Sequence, residues 1–104
     1  MTLPMVASGG DGVISVIGNA FPDYFSKMVN ACLANDLECA RQYNYKIYDL
    51  HKWLYIEGNP VGIKSAMKVL GLCENYVRLP LHMMSDSNYN KLKEAVLKIV
   101  ADKT

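Results

Sequence analysis

The chemistry-bearing side chains of this chain are few and scattered. His51 and His82 lack a partner at metal-ligand spacing such as HxxxH or HExxH, so both read as structural histidines. Cys32 and Cys39 stand on opposite sides of an Asn35-Asp36 break and read as buried thiols rather than as a redox or metal pair. Ser15 does not sit in a GxSxG elbow, which argues against a nucleophile. Gly9-Gly10-Asp11-Gly12 is glycine-rich, but it precedes an apolar β-branched run. Phosphate-cradling loops instead follow a strand and open a helix, so a plain turn is the better reading. Asp49 and Glu57 would lie about 12 Å apart along one helix, too far to act as a carboxylate pair. Lys64 lies on a largely apolar helix, where desolvation would suit a Schiff-base amine. Its neighbours Ile63 and Ser65 favour the plainer reading, a place at the edge of a buried face. Tyr43, Tyr45, Tyr48, Trp53 and Tyr55 form an aromatic-rich stretch that reads as core or interface packing. Taken together, these residues show no self-sufficient active site.

Composition narrows the classes further. The 104 residues are 51% apolar and 20% charged, a globular balance for one small domain. Eleven basic and ten acidic side chains give a net charge of +1, without the basic surplus that nucleic acid requires. No apolar run approaches the roughly 18 residues of a membrane span, and no signal peptide is visible. Three cysteines without a CxxC fit a reducing compartment, so a cytoplasmic location is expected. No cofactor, metal site, nucleic acid or membrane partner is expected.

The elements that would position these residues are mainly helical. Thr2 and Pro4 open a short helix that Gly9-Gly10 ends. Gly12-Val-Ile-Ser-Val-Ile17 is β-branched and glycine-flanked, the pattern of a strand buried on both faces of a parallel sheet. Pro22 begins a helix with Tyr24, Phe25, Met28, Val29, Cys32 and Leu33 on one stripe. Asp36 caps a helix carrying Tyr43, Ile47, Leu50 and Leu54, expected to run to about Glu57. Asn59 is the expected cap and Pro60 the first residue of the next helix, with Ile63, Ala66, Met67 and Leu70 inward and Gly71 closing it. Cys73 to Met84 has no clear period and includes Pro80, and reads as an extended connection. Ser85 or Asp86 caps a last helix with Tyr89, Leu92, Val96 and Ile99 on one face, supported by a Glu94–Lys98 pair. One apolar strand ahead of four helices cannot pair its own backbone groups, which suggests a piece of an α/β protein.

Several segments in register carry a resemblance. Leu3-Pro4-Met5, Gly12-Val-Ile-Ser-Val16, Asn19, Pro22, Gly58-Asn-Pro-Val-Gly-Ile-Lys64, Leu70-Gly-Leu72 and Arg78-Leu-Pro-Leu81 together resemble the C-terminal third of the dihydrodipicolinate synthase/N-acetylneuraminate lyase family. The last two proline-containing segments favour the synthase branch. One departure is Gly62, which stands where the family has a second proline.

The resemblance implies a (β/α)8 parent barrel with an appended helical region, of which this chain holds only the end. Residues 1–34 would be the end of the barrel, with 12–17 as its eighth strand, and 35–104 the C-terminal helical region. The isolated chain would be mostly α with that one short strand. The implied activity is Schiff-base condensation of pyruvate with aspartate semialdehyde in lysine and diaminopimelate biosynthesis. The catalytic lysine and tyrosine would lie upstream of Met1, Lys64 would not match the lysine, and the chain alone would be inactive. A start at an internal methionine would give such a beginning. The backbone carbonyl of Ile14 would line the pyruvate pocket, while Asn59, Pro60 and Arg78 would be structural. The full-length enzyme would be a homo-oligomer. Two alternatives stay open: a helical self-association module, and a piece of another pyruvate-dependent aldolase such as N-acetylneuraminate lyase.

Overall fold

The computed structural model describes residues 1–101, and these form two compact units, Met1–Tyr48 and the chain from Asp49 onward. The first unit contains α1 (Thr2–Ala7), a 3-10 turn at Ile17–Asn19, α2 (Pro22–Leu33) and α3 (Leu37–Ile47). The second contains α4 (Leu50–Tyr55), α5 (Val61–Val69) and α6 (Asp86–Ala101).

In the first unit α2 packs chiefly against α3, with α1 and the 3-10 turn also against α2. Phe25, Met28 and Cys32 are the buried residues of α2, the inner part of the expected stripe. Leu33, at the end of that stripe, is instead exposed. The break after α2 is a Schellman turn: Asn35 adopts φ 65°, its N–H reaches the Cys32 carbonyl, and the Asp36 N–H reaches that of Ala31. The Asp36 carboxylate then accepts from the Cys39 N–H at 3.2 Å and caps α3. Pro22 opens α2 as expected, whereas Met1 rather than Thr2 precedes α1.

In the second unit α4, α5 and α6 pack on one another. Leu50, Leu54, Ala66, Leu92 and Val96 are wholly buried there, as the helical spacing predicts. Gly71, at φ 76°, closes α5 with N–H groups of Gly71 and Leu72 on the carbonyls of Lys68 and Met67. The connection from Leu72 to Ser85 has no regular structure.

Four further expectations require correction. Residues 12–17 form no strand, and no strand occurs among the described residues. A strand's hydrogen bonds run to a neighbour, and without one Ile17 turns into the 3-10 segment and accepts from Ala20 and Phe21. The helix expected from Asp36 to Glu57 is interrupted at Tyr48–Asp49 and ends at Tyr55. Both interrupting residues keep right-handed helical dihedrals, but the α-helical bonding lapses there. Asn59 makes no capping bond and Pro60 lies before α5 instead of inside it. In the first turn the Gly62 N–H is taken up by the backbone carbonyl of Gly58, and the Lys64 N–H bond to the Pro60 carbonyl begins the helix. The Glu94–Lys98 pair does not form either; Lys68–Glu74, at 3.8 Å, is the salt bridge among the described residues.

Candidate functional site

Ile14 lies in a segment held at both ends and free in the middle. At its start the Gly10 N–H donates to the Met5 carbonyl at 3.1 Å. At its end the Ser15 hydroxyl accepts from the Gly18 N–H at 2.9 Å. The Asn19 carboxamide donates to the carbonyls of Ser15 at 3.3 Å and Val16 at 3.0 Å. Ile17, Ala20 and Phe21, all buried, anchor the chain beyond. Between these points the backbone of Asp11 to Ile14 makes no hydrogen bond among the described residues, and the Ile14 side chain is fully exposed. A β-branched apolar residue in that state has both its backbone carbonyl and its side chain available to another surface.

The other candidate residues are dispersed. Lys64 is half-buried on α5, at the edge of its inner face. His51 is half-buried on α4, and burial lowers its pKa below the ordinary 6.5. His82 and Cys73 are exposed on the irregular connection. Cys32 is buried and its thiol reaches the Leu3 carbonyl at 3.6 Å; Cys39 is half-buried. Asn59, Pro60 and Arg78 are exposed. No group of three His, Cys, Asp or Glu side chains among the described residues is placed to hold a metal ion. The tyrosines divide: Tyr43 is half-buried against Tyr24, with ring centroids 6.4 Å apart, while Tyr45, Tyr48 and Tyr55 are exposed. Lys27 and Lys46 lie over the rings of Tyr43 and Tyr24, at 6.0 and 5.6 Å from the centroids.

Sequence reasoning missed two polar clusters. One is the Ser15–Asn19 turn; its signal was a serine three residues before a glycine, the spacing of a hydroxyl-to-backbone turn. The other joins Glu57 to Ser85 and Asn88. The Glu57 carboxylate accepts from the Ser85 N–H, the Ser85 hydroxyl and the Asn88 amide, at 3.0, 3.0 and 2.9 Å. The Asn88 bond first, and then those from Ser85, hold the Glu57 carboxyl below its ordinary pKa, against the opposing effect of burial. Residues 28 and 31 positions apart carry no local pattern that announces such a contact.

The helices and the glycine-flanked segment before them define a portion of a synthase scaffold of known structure. Dihydrodipicolinate synthase from Aquifex aeolicus superposes with a TM-score of 0.87 at 46% identity, over 92% of this chain and 33% of that one. The chloride-inhibited Acinetobacter baumannii dihydrodipicolinate synthase, solved with pyruvate, superposes with a TM-score of 0.90 at 32% identity, over 94% and 34%. The chain belongs to the Dihydrodipicolinate synthetase family, whose sequence model matches residues 1–99. The curated 4-hydroxy-tetrahydrodipicolinate synthase of Aquifex aeolicus is 46% identical over 98 residues, which are 94% of this chain. The chain spans about a third of the length of the curated relatives it matches (33% for that synthase).

No helix among the described residues is long and apolar enough to cross a membrane.

Proposed function

We propose that this chain is the C-terminal part of a cytoplasmic 4-hydroxy-tetrahydrodipicolinate synthase, a lyase that condenses pyruvate with aspartate semialdehyde through a Schiff base. Residues 1–34 supply the end of a (β/α)8 barrel and 35–104 its appended helical region. The observation that carries this reading is the 46% identity to a synthase over 94% of the chain, set against dispersed candidate residues that form no catalytic cluster of their own. The lysine that bonds pyruvate and the tyrosine that relays protons belong to the upstream part of the enzyme. Lys64 is not that lysine. The contribution of this chain to the pocket is the Ile14 carbonyl, set at the mouth of the barrel where such active sites open. The working enzyme is a homo-oligomer. The synthase name of the curated relative favours this activity over that of a neuraminate lyase.

Two measurements test the reading. Sequencing the DNA upstream of the Met1 codon should reveal an open frame encoding the strand lysine and the tyrosine. Borohydride trapping with pyruvate, read by intact mass, should leave the 104-residue chain unmodified. It should modify the enzyme assembled from this chain and the upstream two thirds, either read through from that frame or supplied in trans from the Aquifex aeolicus synthase. A pyruvate adduct on Lys64 in the chain alone would overturn the assignment.

A further inference from the structure

The Ser15–Asn19 turn begins one peptide bond after the carbonyl assigned to the pyruvate pocket. We propose that Ser15 and Asn19 are positioning residues for pyruvate binding: their side chains fix the direction of the Ile14 carbonyl. This inference rests on the reading that the carbonyl lines the pocket. The peptide unit joining Ile14 to Ser15 is planar, so the Ile14 C=O and the Ser15 N–H turn together. Its orientation is therefore set by how Ser15 is held. Ser15 is held from two sides, by the Gly18 N–H on its hydroxyl at 2.9 Å and by the Asn19 amide on its carbonyl at 3.3 Å. The second Asn19 bond, 3.0 Å to the Val16 carbonyl, ties the same amide to the next peptide.

No backbone hydrogen bond fixes Asp11 to Ile14 among the described residues, so within this chain the turn is the nearest restraint on the carbonyl. The burial of Ile17, at 2% exposure, keeps the turn itself in place. Backbone bonds already close the turn, with the Asn19 N–H on the Val16 carbonyl at 3.2 Å and the Ala20 N–H on the Ile17 carbonyl at 3.0 Å. The Asn19 amide adds two bonds, both to carbonyls of the segment leading out of Ile14.

The test uses the assembled enzyme described above, with Ser15→Ala, Ser15→Thr, Asn19→Ala and the unsubstituted chain. KM for pyruvate should rise about tenfold in Ser15→Ala and Asn19→Ala, with KM for aspartate semialdehyde unchanged, because only the pyruvate contact is misaligned. Ser15→Thr keeps the hydroxyl and should restore the unsubstituted value. Melting temperature is read in parallel. An unchanged KM for pyruvate in both alanine variants would overturn the proposal. So would equal changes in both KM values that track a loss of melting temperature. If Asn19→Ala does not fold, the Ser15→Ala and Ser15→Thr pair decides. Absence of any borohydride-trapped pyruvate in the unsubstituted enzyme would instead remove the pocket assignment itself, and this inference with it.

Discussion

Glu57 grips Ser85 twice, through the backbone N–H and through the hydroxyl, each at 3.0 Å and across 28 positions of sequence. Ser85 in turn accepts from the Asn88 N–H at 3.4 Å, the geometry of an N-cap on α6. The carboxylate also adds negative charge where the helix dipole favours it. The start of α6 is thereby tied to the turn that follows α4.

Loss of this tie should be measurable in the stability of the chain. Ser85→Ala and Glu57→Ala should each lower the unfolding free energy by about 1 kcal/mol, the usual scale for a lost helix cap. Because the two residues share bonds, the double variant should lose less than the sum. Urea unfolding checks both statements, and strict additivity would mean that the two residues act independently.

Acid should reveal two titrating groups in sequence. His51 has a folded pKa lowered by burial, so the unfolded chain takes up its proton first. Its contribution is intact above the ordinary 6.5 and is lost as pH falls through the folded value. Glu57 also has a lowered folded pKa, chiefly through Asn88. Its contribution is present above the ordinary 4.5 and is lost as pH falls through its own folded value. Melting temperature plotted against pH should therefore fall below about neutrality and again in the acid range. His51→Gln should flatten the first decline and Glu57→Gln the second. A profile unaltered by either change would contradict the assignment.

Gly62 sets the separation of α4 and α5. A Cβ at this position would overlap the backbone carbonyl of Leu54, and backbone cannot swing aside as a side-chain tip can. Gly62→Ala should therefore destabilise by about 1–3 kcal/mol, as overpacking does. The proline that the family carries here should cost more in this chain, because the Gly62 N–H donates to the Gly58 carbonyl at 3.3 Å. Thermal unfolding of the two variants should rank glycine, alanine, proline. Equal stability of all three would show that the two helices separate freely.

How far the sequence announced these features depended on how local their causes are. The cap at Asp36, the turn at Asn35, the end of α5 at Gly71 and the inner faces of the helices follow from residue type and 3.6-residue spacing. The family resemblance was equally legible, because its motifs are short and lie in register along the chain. The sequence shows Glu57 only as a carboxylate too far from Asp49 to pair with it, because its partners arrive from a distant helix. Asn59 has the residue type of a cap before Pro60, but it makes no capping bond, and the Gly58 carbonyl takes up the Gly62 N–H. The strand failed for another reason. Its residues have the right types, but β structure is a property of a pair of segments.

That last point gives a measurement on residues 11–14. Val13 and Ile14 are both exposed, and their amides have no hydrogen-bond partner among the described residues. Their hydrogen exchange in the chain alone should run near the rate of an unstructured peptide, while the amides of Met28 and Leu92, inside packed helices, should be slowed. The exposed β-branched run between the glycine turn and the polar turn offers its unpaired backbone groups to a neighbouring strand. In the enzyme assembled with the upstream two thirds, Val13 and Ile14 should become protected by at least about a hundredfold. Protection already present in the monomeric chain would mean that the segment finds its own partner. Protection absent from the assembled enzyme would mean that residues 12–17 are not its closing strand.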